Sequence, residues 1–385
     1  MKVNMRNFIP TIQGFIKLRI ICLVLMGITL TLNAHGVLTI KDARSGLPLP
    51  KASIFDKNGA FIAVSNEDGT IPSSVNSQSF PINIRYVGYL PVELKTPGDQ
   101  DVLMYESTYQ LPEVVVDDKS RNLLYILAFV RDYTTGYDAN DTLVYYQEQI
   151  VDFVLPLTKK TKEKGWKKAR ILASREYDHV IKNRKDVQKD TFRYKENQNN
   201  KTGQTYSLNE KFEIPEQLIS GDQTKVVIDG KYYPQETWTK IGNSYILYKD
   251  ELADEKNHVY SPNALKVLGA TADNTRNEAI FKFTPDSNGE IKPDKINEVA
   301  FFFDVTLKGK LWKMASKQKE PIVLSTYGEL YVIDRAYLTA EEVKDLKKNP
   351  TVIDVNFKVP ENIPEPPAEI TDLKNKVLET IPNAK

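Results

Sequence analysis

Cysteine and histidine are nearly missing from this chain, and each absence closes off chemistry. The single cysteine of the 385 residues is Cys22, inside an N-terminal apolar stretch. Beyond that stretch no disulfide, thiolate nucleophile or cysteine metal ligand is available, so stability must come from core burial. The three histidines are His35, His179 and His258, and none lies in an H-x-x-E or H-E-x-x-H arrangement. A zinc peptidase needs two histidines and a carboxylate on its metal, so that class is not expected. No P-loop, G-x-G-x-x-G or G-x-S-x-G is present, which removes the usual nucleotide sites and the hydrolase elbow. Excess charge is lacking too: 52 Lys and Arg face 51 Asp and Glu, so nothing points to nucleic acid. No apolar run approaches the ~20 residues of a membrane helix.

What is present begins with an export signal. Lys2, Arg6, Lys17 and Arg19 precede the apolar run Ile20–Leu32, which ends in Leu-Asn-Ala. A charged segment, a short apolar segment and a small residue at Ala34 predict a secretory signal over 1–34, cut after Ala34. The alternative is a retained anchor. Cys22 stands near the start of the run rather than behind it, which argues against a lipid anchor. Removing the four cations of residues 1–34 leaves 48 basic against 51 acidic residues and no expected membrane span.

Residues 36–116 read as short strands punctuated by turns. Val37, Leu38 and Ile40 start one strand, and Ala52, Ile54 and Phe55 another. Lys57-Asn58-Gly59 and Asn66-Glu67-Asp68-Gly69 are turn sequences, and strands follow at Ile82–Val87, Val92–Leu94 and Val102–Met104. That spacing predicts an antiparallel sandwich.

Four motifs in this stretch resemble the carboxypeptidase-regulatory-like domain, a transthyretin-like sandwich common in exported proteins of Bacteroidota. Asp42, Gly46, Pro48, Leu49, Ala52 and Ile54 resemble its opening pattern; Glu67-Asp68-Gly69 resembles its acidic turn, with Asn66 and Ile71 departing from the usual Asp and Phe. Tyr86-Val87-Gly88-Tyr89 is similar to its strand end and Leu111–Val116 to its exit. The resemblance implies an accessory, non-catalytic module at the cell envelope. The residues themselves imply turns at Gly46 and Gly69, a turn-bonded Asp68, and tyrosines Tyr86 and Tyr89 that bury their rings and keep their hydroxyls wet.

The remainder is patterned less clearly. Residues 117–141 predict a linker and a helix, from the apolar spacing of Leu123, Leu124, Ile126, Leu127 and Val130. Residues 142–358 predict a β-rich α+β domain, with strand runs at 143–153, Lys225–Ile228, Ser244–Tyr248, Glu278–Phe283, Glu298–Leu307 and Pro321–Ile333. Thr339 and Glu342 have the spacing of a capping box ahead of a short helix that Pro350 ends. Residues 183–223 predict a long mobile loop, and 359–385 a proline-containing tail with a short helix at Ile370–Leu378. The whole is expected to be mainly β.

Candidate sites are few. Lys159, Lys160, Lys162, Lys164, Lys167, Lys168 and Arg170 form a basic run around Trp166, which either contacts anionic lipid or glycan groups or is a solvated loop. Asp141-Thr142-Leu143 fits an O-glycosylation sequon of the compartment that the signal implies, with Thr142 as acceptor. Asp286-Ser-Asn-Gly-Glu has Ile291 where a calcium loop needs glycine, and reads as a plain turn. No cofactor and no metal is expected. The sequence is thus read as a non-catalytic exported protein of the periplasm or outer membrane, binding an envelope protein, glycan or lipid. Two alternatives stand beside it: a periplasmic carrier of lipid or glycan in a curved β-sheet, and a hydrolase with an unrecognised carboxylate site.

Overall fold

The computed structural model describes residues 38–98, 101–107, 120–137, 141–157, 161, 163–182, 190–198, 206–208, 212–228, 235–252, 267–283, 285, 293–310 and 321–380. The signal segment, His35, His258, the Leu111–Val116 exit, the 286–290 turn and Lys159, Lys160 and Lys162 lie outside them.

Six short strands build the N-terminal unit: β1 (Ile40–Asp42), β2 (Ser53–Phe55), β3 (Phe61–Val64), β4 (Ile82–Arg85), β5 (Val92–Leu94) and β6 (Val102–Met104). Four of them form an antiparallel sheet in the order β3-β2-β4-β5, while β1 and β6 pair with each other in parallel. That parallel pair departs from the all-antiparallel pattern expected, because the first and last strands of the unit run side by side. The motif residues do structural work. Gly69 sits at φ +77°, and a Cβ there would lie 2.7 Å from the Ile40 carbonyl oxygen. Asp68 accepts from the Thr70 amide at 3.0 Å and its hydroxyl at 2.6 Å. Tyr89 is 3% exposed and its hydroxyl donates to Asp42. That hydroxyl is therefore not wet, because a buried carboxylate replaces water as its partner.

The rest of the chain is dominated by one open antiparallel sheet of ten strands. Its members are β7 (Leu123–Tyr137), β8 (Asp141–Pro156), β9 (Trp166–Lys182), β10 (Thr191–Gln198), β11 (Lys225–Ile228), β12 (Gln235–Ile241), β13 (Ser244–Asp250), β14 (Ala270–Phe283), β15 (Ile296–Gly309) and β16 (Ile322–Leu338). Their order is β10-β9-β8-β7-β16-β15-β14-β13-β12-β11. The chain starts at the centre, meanders out to β10, crosses to the far edge at β11, and meanders back until β16 pairs with β7. The helix expected within 117–141 is β7 instead. Buried residues occur on both faces of this strand, so its apolar run is nearly continuous, and a 3.6-residue stripe can be picked out of it by chance. The loop expected over 183–223 contains β10 and a short helix, α1 (Glu216–Ile219).

The two faces of the sheet are covered differently. On one, the docked face, the N-terminal unit packs Ile54, Phe55 and Phe61 into a cluster with Tyr133, Tyr146, Ile280, Phe302 and Tyr327. The C-terminal segment lies on the same face. Helix α2 (Ala340–Lys348) buries Val343 against Leu123, Tyr125 and Val154, and carries the expected capping box between Thr339 and Glu342. Ile363 packs with Phe129 and Ile150. Helix α3 (Ala368–Thr380) buries Ile370, Leu373 and Val377. The expected tail is therefore packed structure up to Thr380, held by three apolar residues at helical spacing. On the opposite face, Leu124, Ile126, Val130, Phe153, Phe281, Phe301 and Leu330 form a second core with Tyr206, Leu208 and Leu218 of the crossover. No described helix is long and apolar enough to cross a membrane.

Candidate functional site

On the docked face, one row of directly paired residues alternates in sign across five strands. Glu196 on β10 pairs with Arg175 on β9, then follow Glu148 on β8, Arg131 on β7 and Glu329 on β16. Opposite charges facing each other across strands favour this register. Both covering elements add a cation to the row. Arg85, the last residue of β4, bonds Glu329 through Nε at 2.6 Å and Nη2 at 3.2 Å. Lys374 of α3 bonds Glu148 at 2.6 Å. Arg131 reaches Glu329 at 2.6 Å and the Pro364 carbonyl at 2.6 Å. Burial pushes the Glu329 carboxyl up, but Arg85 and Arg131 outweigh it and hold the group at about 2. This network locks three parts of the chain together: Glu148 is held by Arg175 and Lys374, and Glu329 by Arg85 and Arg131.

The Tyr86–Tyr89 motif docks beside it. The Gly88 amide donates to Glu298 at 2.7 Å, and Lys282 donates to the Gly88 carbonyl and to Glu106, each at 3.1 Å. Burial raises Glu298 to about 7, against the smaller opposing effects of the Gly88 amide and Lys282.

The opposite face holds polar groups that are not all engaged. Asp132 on β7 pairs with Gln147 on β8 and with Gly328 on β16, and Phe301 follows on β15. The crossover brings Tyr206 over this row, and its hydroxyl donates to Asp132 Oδ1. Gly328 makes that reach geometrically feasible: a Cβ there would lie 2.7 Å from Asp132 Oδ1 and 2.8 Å from the Tyr206 hydroxyl. Asp132 Oδ2, both amide atoms of Gln149 and the Ser174 hydroxyl are buried without a hydrogen-bond partner among the described residues. Burial raises the Asp132 carboxyl to about 8, so at neutral pH it is mostly protonated.

Tyr206 also forms one wall of a cavity of about 250 Å³. Its ring packs on Phe301 with centroids 4.4 Å apart, and Phe281 and Phe303 continue the aromatic lining. Ser207, Lys249, Glu251, Asn277, Glu278 and Ala279 complete it. Lys249 and Glu251 pair at 2.7 Å, and Glu278 pairs with Arg276 at 2.7 Å.

Of the candidate site residues read from sequence, none that is described lies at this cavity. Thr142 is half-buried in β8, paired across the sheet with Tyr137 and Ile181. Lys164, Lys167 and Lys168 are exposed near the start of β9. Arg170 does not join them: it bonds both oxygens of Asp152 and the Leu346 carbonyl and lies 3.6 Å over the Trp166 ring. It ties α2 to the sheet. His179 bonds Asp190 at 2.9 Å and stacks on Phe192. Among the described residues no group of three or more His, Cys, Asp or Glu is placed to hold a metal. The only sequence signal for the cavity was the aromatic run Phe301–Phe303, which also suits an ordinary core strand.

No protein-family model matches the chain, and no curated protein sequence matches it. Among solved structures it is similar to one described as lipid–protein interactions in lipovitellin, at 9% identity and a TM-score of 0.26, over 56% of this chain and 25% of that one. It is also similar to a bifunctional dehydratase-cyclase domain of ambruticin biosynthesis, at 10% identity and a TM-score of 0.14, over 58% of this chain and 79% of that one. The chain thus spans about a quarter of the lipovitellin chain. At these TM-scores neither likeness bears on fold or ligand; what stands for the chain is a mainly β architecture built around a large antiparallel sheet.

Proposed function

We propose that this is a non-catalytic binding protein, exported to the cell envelope, whose ligand seats on the face of the ten-stranded sheet opposite the N-terminal unit. The observation that carries the reading is the cavity beside Tyr206. Its wall is fixed by a hydrogen bond to a buried carboxyl, and aromatic rings and a half-buried amide side chain line it. The export part of the proposal rests on the charged and apolar N-terminal segment and on the resemblance of residues 36–116 to an accessory envelope domain. In this reading the N-terminal unit is scaffold: its motif residues make turns and dock on the sheet. The test is native purification from the envelope, followed by mass spectrometry of what the folded protein carries. A small molecule or partner that is lost when Ala279→Leu narrows the cavity supports the reading. Hydrolytic turnover that disappears in Asp132→Asn would replace it with the hydrolase reading.

A further inference from the structure

The lining of the cavity narrows the chemistry of what fits. At about 250 Å³ it falls below the roughly 300–1,000 Å³ of drug-sized pockets, so it admits one small ring or a terminal unit of a longer ligand rather than an enclosed acyl chain. Lys249 is spent on Glu251, and Glu278 turns its side chain to the docked face, where it pairs with Arg276. A charged ligand would find no uncompensated partner there and would lose its hydration. Four rings, Tyr206, Phe281, Phe301 and Phe303, give it apolar surface. The uncharged polar groups Asn277 and Ser207 stand on the same lining, and between them an amide and a hydroxyl supply both donors and acceptors. Aromatic faces beside neutral hydrogen-bonding groups match one kind of molecule well: a ring with an apolar C–H face and a rim of hydroxyls.

We infer that the cavity takes a neutral sugar, as a free monosaccharide or the terminal unit of a glycan. The proposal rests on the binding reading above and adds the ligand class. The C–H face packs on the rings, and the hydroxyls bond Asn277 and Ser207. The Tyr206 hydroxyl is already committed to Asp132, so Tyr206 positions the wall and leaves hydroxyl recognition to the other two.

The experiment uses the full chain and three probes: a panel of neutral methyl glycosides, inorganic phosphate, and octanoate. Binding is read by saturation-transfer NMR and calorimetry. The expected result is binding of at least one glycoside, at least tenfold weaker in Ala279→Leu, which fills the cavity, and in Asn277→Ala, which removes a rim group. Circular dichroism and melting confirm that each variant is folded. Asn277 is half-buried, so its truncation serves if the larger side chain introduced by Ala279→Leu disturbs the strand. If octanoate or phosphate binds in a cavity-dependent way and no glycoside does, the sugar class is overturned while the binding site stands. If no probe distinguishes wild type from the folded variants, both the sugar class and the site fall.

Discussion

At the residue scale the most consequential side chain is Glu329, because two buried guanidiniums depend on it. Removing one partner of a buried ion pair costs about 3–5 kcal/mol, since the remaining charge loses compensation. Arg85→Ala is expected to destabilise the protein by about that amount in urea unfolding, and Arg85→Lys to recover little, because an ammonium cannot make the two-pronged contact. The same region sets a pH dependence of two signs. Glu329 is held at about 2, below the usual 4.5, so its contribution is full above pH 4.5 and is lost as pH falls toward 2. Glu298 faces the Gly88 amide, Lys282, Arg131 and Glu329, and is raised from 4.5 to about 7. The native state keeps a proton there that the unfolded chain releases, so stability falls as pH rises from 4.5 to 7. At 1.36 kcal/mol per pH unit this amounts to roughly 3 kcal/mol. Asp132, raised to about 8, acts in the same direction. Stability from these groups should peak near pH 4, and Glu298→Gln should flatten the decline above it; a melting series that declines equally steeply in the variant would remove Glu298 as the cause.

At the scale of elements, legibility followed the number of buried faces. Strands β11, β13, β15 and β16 were visible because alternation or an apolar run was bounded by turns, and α2 because its capping box is local chemistry. Strand β7 reads as a helix because a strand buried on both faces has no period of two, and Leu123, Leu124, Ile126, Leu127 and Val130 also fit a helical stripe. The cavity was illegible for a different reason. Tyr206 of the crossover meets Phe301 of β15 and Asn277 of β14 there, while Asp132, which fixes Tyr206, comes from β7, and only the register β7-β16-β15-β14 brings them together. Gly328 tests that register. Strand interiors disfavour glycine, yet here Ala would press on both Asp132 and the Tyr206 hydroxyl. Gly328→Ala is therefore expected to destabilise by about 1–3 kcal/mol, as overpacking does, whereas in the Tyr206→Phe background, where the hydroxyl is gone, the same change should cost less. A double-mutant cycle in denaturant measures the difference, and strict additivity would mean that the phenol does not cross at Gly328.

At the scale of the whole molecule, the core runs across the boundary between the N-terminal unit and the large sheet. One apolar cluster contains Ile54, Phe55 and Phe61 of the N-terminal unit together with Tyr133, Phe302 and Tyr327 of the large sheet and Ile370 of α3. Phe55 contacts Tyr133 and Tyr327 with ring centroids 5.0 and 5.7 Å apart, and the Phe61 amide donates to Thr135. The ion network crosses the same boundary through Arg85. A chain beginning at residue 120 would expose these rings and leave Glu329 with one cation in place of two. Large apolar patches of this kind promote association. The full chain is accordingly expected to unfold in one calorimetric transition shared by the N-terminal unit and the sheet, with coincident signals from different probes. The 120–385 fragment is expected to lose that cooperativity, bind hydrophobic dyes and self-associate, and added 36–107 fragment should restore part of the transition. Two well-separated transitions in the full chain, or a monomeric 120–385 fragment melting as sharply as the whole, would show that the docked face is an ordinary domain boundary and that the ladder from Glu196 to Glu329 is stable without Arg85.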